Sequence, residues 1–301
     1  MNNPTERVIQ QDCAVTSVYS NIQSGMEIWN LYISDVHFDS VFCNRELFRS
    51  HLDEAIKRNA NVCIFGDFFD AMEGRYDKRR SYPLLREEYK RDDYFDYVVK
   101  DAVKWLMPYA QLFDVLSDGN HEMSVLKHSG TNLMDRLVGS LREKGNNCHV
   151  VHGGYGGWLR YMFSMSAELY RGTQHSIKVK YYHGSGGEAP VTRGVIQTNR
   201  QAVYLPDADI VVNGHNHHAF YIPITRERIG NKGRLFFDIQ HHIRIPGYMQ
   251  SYGDGSDGWE AERGGVPKPI GAFWVCYSCA NAKDISISII PEIVGPTAIS
   301  L

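Results

Sequence analysis

The sequence lacks several features that would assign a protein to a specialised class. None of its apolar runs approaches the roughly 20 residues that a membrane-spanning helix requires, so we expect no membrane partner. Lysine and arginine (32) nearly balance aspartate and glutamate (35), which argues against a protein that coats nucleic acid non-specifically. A nuclease is not excluded, because bound metal ions can supply positive charge. With 43% hydrophobic residues in 301, the chain can bury an ordinary globular core.

Cysteine is also scarce, with six residues in the chain. Cys276 and Cys279 form one C-x-x-C pair, but a structural zinc site usually needs a second pair of cysteines or histidines. Their segment alternates in the manner of a strand, so we expect reduced cysteines rather than a metal site. The N-terminus has neither the basic start nor the apolar centre of a secretory signal, and we therefore expect a cytoplasmic protein.

Apolar patterning divides the chain into two halves of different character. The first half predicts strands that alternate with helices, the strands near 27–34, 61–66 and 112–116 and the helices near 44–56, 98–110 and 133–143. Such alternation is typical of a sheet covered by helices. The second half predicts mostly strands, near 177–181, 209–213, 218–225, 234–245, 271–279 and 285–289, with one helix near 194–203.

Two stretches have the composition of insertions on this scaffold. Residues 73–93 are densely charged with both signs, and residues 251–269 are rich in glycine and proline. Each can be a solvated surface loop. Each can equally be a lid or a substrate wall, because long loops in compact domains are often functional.

Five short motifs follow predicted strands and carry carboxylate, amide or imidazole groups. A strand end with a turn behind it is a place where a fold can aim side chains into a crevice. Singly, none of the motifs is specific; their order along the chain is the informative feature. They are Asp35-Val36-His37, Gly66-Asp67-Phe68-Phe69-Asp70, Gly119-Asn120-His121-Glu122, His183-Gly184 and Gly214-His215-Asn216-His217.

This order resembles the calcineurin-like metallophosphoesterase superfamily, whose pattern is D-x-H, G-D-x-x-D, G-N-H-[DE], H and G-H-x-H. The resemblance implies an α/β fold in which two facing mixed β-sheets are flanked by helices, with a dinuclear metal site at the strand ends. It also implies that residues 1–301 form a single domain. By the same resemblance, one ion is bound by Asp35, His37 and His217, the other by Asn120, His183 and His215, and Asp67 bridges the two.

The donor types support that assignment independently. Three carboxylate or amide oxygens and four imidazoles, without a thiolate, suit Mn²⁺, Fe or Zn²⁺ better than soft Cu(I). We favour two Mn²⁺ ions, with Fe, Zn²⁺ or Ni²⁺ as alternatives. Two ions about 3.5–4 Å apart can contact one phosphate and lower the pKa of a bridging water, whose hydroxide then attacks phosphorus.

His121 is expected to act on the leaving group rather than as a ligand. In the superfamily that the motifs resemble, the histidine of G-N-H faces the leaving oxygen and the second aspartate of G-D-x-x-D supports it. Asp70 would then orient His121 and stabilise its protonated form, as a general acid requires. The alternative is that Asp70 merely caps the turn that follows it.

The substrate class depends on what surrounds the metals. Phosphoprotein phosphatases of the superfamily grip a dianionic phosphate with two arginines, and those positions are Ala71 and Asp118 here. We therefore expect hydrolysis of a phosphodiester, in DNA, RNA or a nucleotide. Arg193 is the candidate for a substitute phosphate contact. The alternatives are a small-molecule phosphomonoesterase and, less favoured, a binding module without catalysis.

Overall fold

Two β-sheets form the framework of the structure, a computed structural model that describes residues 7–71, 82–165, 174–186, 192, 194–250, 252, 259–262, 264–281 and 284–295. The strands are β1 (Arg7–Asp12), β2 (Val15–Asn21), β3 (Glu27–Ile33), β4 (Asn61–Phe65), β5 (Phe113–Ser117), β6 (Val151–His152), β7 (Gly156–Ser164), β8 (Gln174–Tyr182), β9 (Ile210–Asn213), β10 (Phe220–Ile229), β11 (Leu235–Arg244), β12 (Ile270–Asn281) and β13 (Asp284–Val294). The helices are α1 (Arg45–Arg58), α2 (Tyr94–Leu106), α3 (Asn120–Ser129), α4 (Leu133–Lys144), α5 (Val195–Tyr204) and the short α6 (Trp259–Glu262).

Both sheets mix parallel and antiparallel neighbours. Within the described residues, one sheet has the order β1-β2-β7-β8-β9-β11-β10 and the other the order β13-β12-β3-β4-β5-β6. In the second sheet β3, β4, β5 and β6 run parallel and β12 is antiparallel to β3. In the first sheet β8, β9 and β11 run parallel. The predicted α/β fold with two facing mixed sheets is thus confirmed.

The central strands β3, β4 and β5 of the second sheet are buried on both faces, which explains why they read as largely apolar runs. Leu31 and Ile33 of β3 pack in one apolar cluster with residues of α1, α2 and α4. Tyr32 lies between them in sequence and packs in the other cluster, between the two sheets. Successive side chains of a strand point to opposite faces, so the same short strand contributes to both cores.

The predicted helices of the first half are confirmed, although the second one begins and ends about four residues earlier than predicted. Asn44 caps α1, and its side-chain oxygen accepts the Leu47 N–H at 2.9 Å. The pattern predicted a helix through residue 110, but α2 ends at Leu106 and a 3₁₀ helix covers Met107–Leu112. Pro108 lacks the N–H that a continuing α-helix would use. No described helix combines the length and the apolar character needed to cross a membrane.

The predicted insertions are described in part. Residues 73–81 lie outside the described residues. The rest of the first insertion packs on the loop after β3, where the Arg86 side chain donates to the carbonyls of Ser40 (2.9 Å) and Cys43 (2.8 Å). The described part of the second insertion includes α6 and residues 264–269.

The two cysteines of the C-x-x-C motif lie on β12, as the alternation predicted. Cys279 packs in the cluster between the sheets. The Cys276 thiol instead contacts the Ser278 hydroxyl at 3.4 Å. Both are free thiols.

One buried carboxylate of this framework makes folding stability depend on pH. Asp114 on β5 is fully buried, 3.0 Å from Nε of Arg7 on β1. Burial raises the pKa of Asp114 to about 6, although Arg7 and the Tyr161 hydroxyl oppose the rise. A carboxyl whose pKa is higher folded than unfolded contributes stability at pH below the unfolded value of 3.8. That contribution is lost as pH rises through 6.

We expect Asp114→Asn to remove this dependence. The free energy of unfolding of the variant, minus that of the wild type, should increase by about 2–3 kcal/mol between pH 4 and pH 7, because a pKa difference of two units corresponds to that energy. Chemical denaturation of both proteins across this range measures it. A difference that stays constant with pH would contradict the pKa assigned to Asp114.

Candidate metal centre

Five loops with metal-binding residue types meet at one edge of the two sheets. Asp35, Asp67 and Asn120 directly follow the parallel strands β3, β4 and β5. His183 and His215 follow β8 and β9, which are parallel to each other in the facing sheet. Since the carboxyl ends of parallel strands lie at the same edge of a sheet, the topology brings distant motifs together.

The first cluster consists of Asp35, His37 and His217, with one ligand-type atom of each within 4.8 Å of the others. Nε2 of His217 lies 3.6 Å from Oδ1 of Asp35. The rings of His37 and His217 stack with centroids 5.1 Å apart. Asp35 is held by the hydroxyl of Ser34 (2.5 Å) and the N–H of His215 (2.9 Å), which both donate to Oδ2.

The second cluster consists of Asp67, His183 and His215, and Asn120 joins it. Oδ2 of Asp67 lies 3.0 Å from Nε2 of His183. Oδ1 of Asn120 lies 2.7 Å from Nδ1 of His215 and 3.2 Å from Nε2 of His183. The other ring nitrogen of His183 donates to the carbonyl of Phe65 at 2.9 Å, which fixes the direction in which Nε2 points.

The donors in these clusters fit divalent metal ions. Nδ1 of His37 is hydrogen-bonded to Oδ1 of Asp70 at 2.9 Å, whereas Nε2 of His37 is buried and has no hydrogen-bond partner among the described residues. Metal-binding histidines usually show this arrangement: one ring nitrogen is hydrogen-bonded to a carboxylate, and the other nitrogen remains available to the metal ion. The residue types offer oxygen and nitrogen donors without thiolate, as the sequence indicated.

The charges of the two clusters also favour the binding of a cation. The imidazoles of His183 and His121 hold the pKa of Asp67 well below its usual value, against the opposing effect of burial. Burial would lower the pKa of His183, but Asp67 and Asp35 raise it to about 10. The positive charge of protonated imidazole thus balances the negative charge of the carboxylates. A bound divalent ion would supply the same positive charge.

The backbone is strained where the clusters form. Asp35, His37, Asp67, His215 and His217 have left-handed backbone conformations, with φ between 48° and 75°. For residues with a Cβ this conformation costs roughly 1–2 kcal/mol each. Strain of this kind persists only where the surrounding structure enforces it, and it concentrates at functional sites.

Two glycines of the motifs are required by close approach to a carboxylate. A Cβ at Gly119 would lie 2.1 Å from Oδ1 of Asp67. A Cβ at Gly214 would lie 2.4 Å from Oδ2 of Asp35. These glycines let the chain pass directly behind the two aspartates, which explains their place in G-N-H-E and G-H-x-H.

His121 and Asp70 are neighbours, but their contact differs from the predicted one. Nδ1 of His121 donates to the main-chain carbonyl of Asp70 at 2.5 Å. The Asp70 carboxylate lies 3.5 Å from that nitrogen and is closer to His37, at 2.9 Å. Asp70 therefore fixes the His121 ring mainly through its backbone, while its side chain positions His37. Nε2 of His121 is directed toward Asp67, 3.9 Å from Oδ2.

Glu122 is a supporting residue that sequence reasoning did not assign. It is 1% exposed, and its carboxylate accepts the N–H groups of Phe69 (2.8 Å), Gly119 (2.8 Å) and Asp67 (3.2 Å). It thereby ties the loop after β4 to the start of α3. Burial and the charge of Asp67 raise the pKa of Glu122 to about 8. Its place in G-N-H-E was the signal available in the sequence.

Asp39 has a comparable role on the other side of Asp70. Its carboxylate accepts the N–H groups of Asp70 (2.6 Å) and Ala71 (2.9 Å), and the Tyr94 hydroxyl also donates to it. The side chain is fully buried. Asp39 lies only two residues after His37, but no sequence motif distinguishes it from an ordinary loop aspartate.

The two positions where phosphoprotein phosphatases carry arginine are both buried here. Ala71 is 3% exposed and Asp118 is 4% exposed. The Asp118 carboxylate pairs with Nε2 of His152 at 2.8 Å, and this contact, against the opposing effect of burial, raises the pKa of His152. The Asp118 carboxylate is therefore engaged by His152 rather than left without a side-chain partner. Arg193, the predicted phosphate contact, lies outside the described residues.

Glu122 provides a test of how the site is held. We expect Glu122→Gln to weaken Mn²⁺ binding by about 10–100-fold, the usual effect of removing a residue that orients a metal ligand. Glutamine keeps the size of the side chain, but its NH₂ group would face main-chain N–H donors. Titration of the metal-free protein with Mn²⁺ measures the effect, and Glu54→Gln, on the exposed side of α1, is the control. Equal affinity in both variants would mean that Glu122 does not position Asp67.

Comparison with known proteins yields likeness of fold only. No protein-family model matches the chain, and no curated protein matches it. A conserved Streptococcus pneumoniae protein described as a predicted phosphoesterase is 10% identical, covering 90% of this chain and 98% of its own, with a TM-score of 0.33. GAP50 of Plasmodium, described as the anchor in the inner membrane complex, is 13% identical over 90% of this chain and 89% of its own, with a TM-score of 0.41. A metallophosphoesterase from Sphaerobacter thermophilus is 14% identical over 88% of this chain and 89% of its own, with a TM-score of 0.31. At these identities and TM-scores, the comparison says nothing about the chemistry of this chain.

Proposed function

We propose that this chain is a divalent-metal-dependent phosphodiesterase, acting on DNA, RNA or a nucleotide. The observation that carries the proposal is the convergence of seven side chains from both sheets at one edge. They have the donor types of a two-metal hydrolase and follow the strands in the order of the motifs. They are Asp35, His37, Asp67, Asn120, His183, His215 and His217.

In this proposal the first cluster holds one ion and the second cluster, with Asn120, holds another. Asp67 would be the ligand shared by both ions, and two Mn²⁺ ions are the favoured occupants. When bound, such ions would act as Lewis acids on water and on the phosphate. The contribution of the chain is a rigid set of donors. Asp70 orients His37, Phe65 orients His183, and Ser34 orients Asp35.

His121 is proposed to protonate the leaving oxygen. Its Nδ1–H is committed to the Asp70 carbonyl, so that Nε2 is the nitrogen that can exchange a proton with substrate. The ring is 11% exposed, which keeps it at the border between the buried clusters and solvent. The carboxylates of Asp67 and Asp70 lie 3.9 and 3.5 Å from its two nitrogens.

The preference for a diester is supported by the missing arginine pair. A phosphate monoester carries two negative charges near neutral pH and benefits most from cationic side chains around the metals. Neither Ala71 nor Asp118 supplies such a group, and Asp118 is engaged with His152. A diester carries one charge and needs less cationic grip, but its alkoxide leaving group needs an acid such as His121.

The role of His121 predicts a dependence on the leaving group. We expect His121→Ala to lower kcat by about 10²–10⁴-fold on a diester with an alkoxide leaving group, and much less on one that releases nitrophenolate, which leaves without protonation. Steady-state kinetics of the Mn²⁺-loaded enzyme on both substrates measure the difference. His128→Ala, an exposed position on the same helix α3, is the control. Equal losses on both substrates, or loss of metal, would make His121 a ligand or a positioning residue.

The proposed substrate class predicts the outcome of one panel. The Mn²⁺-loaded enzyme should show higher kcat/KM on a bis-aryl phosphate than on a mono-aryl phosphate, and should cleave single- or double-stranded DNA, RNA or a cyclic nucleotide. A clear preference for the mono-aryl ester would contradict the diesterase assignment and favour a small-molecule phosphomonoesterase. Metal binding without hydrolysis of any member of the panel would favour a binding module.

A further inference from the structure

The outer face of the first sheet carries a group of side chains that the metal centre does not use. On β2, β7 and β8, Val18, Leu159 and Val179 pack in the cluster between the two sheets. Since successive side chains of a strand point to opposite faces, the residues next to them face outward. Six of these outward residues are partly exposed and are called the basic aromatic face: Tyr19, Trp158, Arg160, Lys178, Lys180 and Tyr182.

The pairing of the strands concentrates positive charge on the basic aromatic face. Arg160 lies directly opposite Lys178, and Lys180 lies directly opposite Trp158. Like charges at directly opposite positions destabilise a sheet. Among the described residues, none of the three cations forms an ion pair with a carboxylate; Nε of Arg160 donates instead to the Ser17 hydroxyl at 3.2 Å. An external anion would balance this charge.

Little acidic charge opposes these cations. At the outward positions of β1, β2, β7 and β8 that the structure describes, the acidic residue is Asp12, at the end of β1. Asp209, in the loop before β9, is already engaged. Its carboxylate accepts the Lys178 main-chain N–H at 2.8 Å and lies 4.0 Å from the Arg226 guanidinium. The basic aromatic face is thus complementary in charge to a polyanion, although the chain as a whole has a formal net charge of -3.

Aromatic rings alternate with the cations and continue toward the second cluster. The Lys180 ammonium lies 5.5 Å from the centroid of the Trp158 ring. Tyr182 directly precedes His183, and its ring centroid lies 5.4 Å from that of Tyr155. The Tyr155 ring lies in turn 5.6 Å from the His183 ring. At about 3.3 Å per residue, the last five residues of β8 extend about 13 Å. Proteins bind single strands of nucleic acid on surfaces of this kind, with phosphates on cations and bases on rings.

We propose that the basic aromatic face binds a single strand of DNA or RNA. The three cations contact phosphates, and Trp158 and Tyr182 stack on bases, which are contacts that any base sequence can make. A double helix fits less well, because its bases are stacked on one another and cannot reach the rings. Binding of the strand is a property of this face alone. Delivery of the strand to the second cluster for cleavage rests on the proposed phosphodiesterase function.

The test is fluorescence anisotropy of labelled oligothymidylate and oligouridylate of about 12 nucleotides, within the range that such surfaces cover. The full chain is titrated in EDTA, so that neither metal ions nor cleavage contributes. Three phosphate contacts predict a slope of about -2 for the logarithm of affinity against the logarithm of salt concentration. The triple variant Arg160→Met, Lys178→Met and Lys180→Met should lose most of this slope and bind about tenfold or more weakly at low salt.

Two further variants separate the contacts from a structural role. Trp158→Leu should weaken binding about tenfold and leave the salt slope unchanged, because stacking on a base is not an ionic contact. Lys180→Met alone should reduce the slope by about 0.7, the value for one phosphate contact on a single strand. This single change keeps the test valid if the triple variant does not fold, and thermal unfolding is measured for every variant.

The matched control removes the same charge from exposed positions of α2 and α3, in the triple variant Lys100→Met, Lys104→Met and Lys127→Met. It should bind both oligonucleotides as the wild type does. Equal losses in the two triple variants would overturn the inference, since net charge alone would then govern binding. No binding by the wild type, or equal affinity for an abasic strand of the same length, would overturn it as well.

The absence of metal ions from the titration keeps this inference separate from the proposed function. Oligonucleotide binding by a wild-type chain that hydrolyses no phosphodiester in Mn²⁺ would support the basic aromatic face and contradict only the proposed function. Hydrolysis of a bis-aryl phosphate by a chain that binds neither oligonucleotide would support the proposed function and overturn the inference.

Discussion

The concentration of buried carboxylate at one sheet edge is the constraint on which the rest of the site depends. Asp35, Asp39, Asp67, Asp70 and Glu122 are all 2% exposed or less, and a buried charge without partners is costly. Each is therefore paired with N–H donors or imidazoles. Burial still raises the pKa of Asp35 and of Asp39. A pair of divalent cations would balance this excess of negative charge. The burial of several carboxylates at one site is unfavourable without cations but suits a metal centre.

The framework withstands the strain that this arrangement imposes. Left-handed backbone at five residues of the clusters costs of order 5–10 kcal/mol in sum, which is comparable to the net stability of a typical domain. Hydrogen bonds beyond the ends of β3 and β4 hold the loops in place: Asp35 N–H to Gly66 carbonyl at 3.0 Å and His37 N–H to Asp67 carbonyl at 3.1 Å. The strands behind these loops are buried on both faces, so the loops cannot relax without disturbing two cores.

The features that could be predicted from the sequence are those with a local sequence signal. Strands β3, β4 and β5 were predictable because burial on both faces makes them largely apolar. The clustering of candidate ligand residues at one sheet edge was predictable because the motifs follow strands. Strands β1, β2 and β7 were not predicted, since β1 (RVIQQD) is mostly polar and lies at a sheet edge. The contacts of Glu122, Asp39 and Asp118 were also missed. Each depends on which main-chain groups or side chains the fold brings within 3 Å, and no spacing in the sequence encodes that.

The burial of the strand ends also separates two sets of residues, those that would bind metal and those that would select the substrate. The candidate metal ligands lie at the ends of strands in two cores and are fixed in position. In the proposed function, discrimination between substrates therefore falls to residues outside that set. Neither of the two described positions where phosphoprotein phosphatases carry arginine supplies a cation. Ala71 carries no charge, and Asp118 is paired with His152. Because Coulomb attraction scales with charge, each absent cation costs a dianionic monoester about twice as much attraction as a monoanionic diester. In the proposed function, this difference favours the diester.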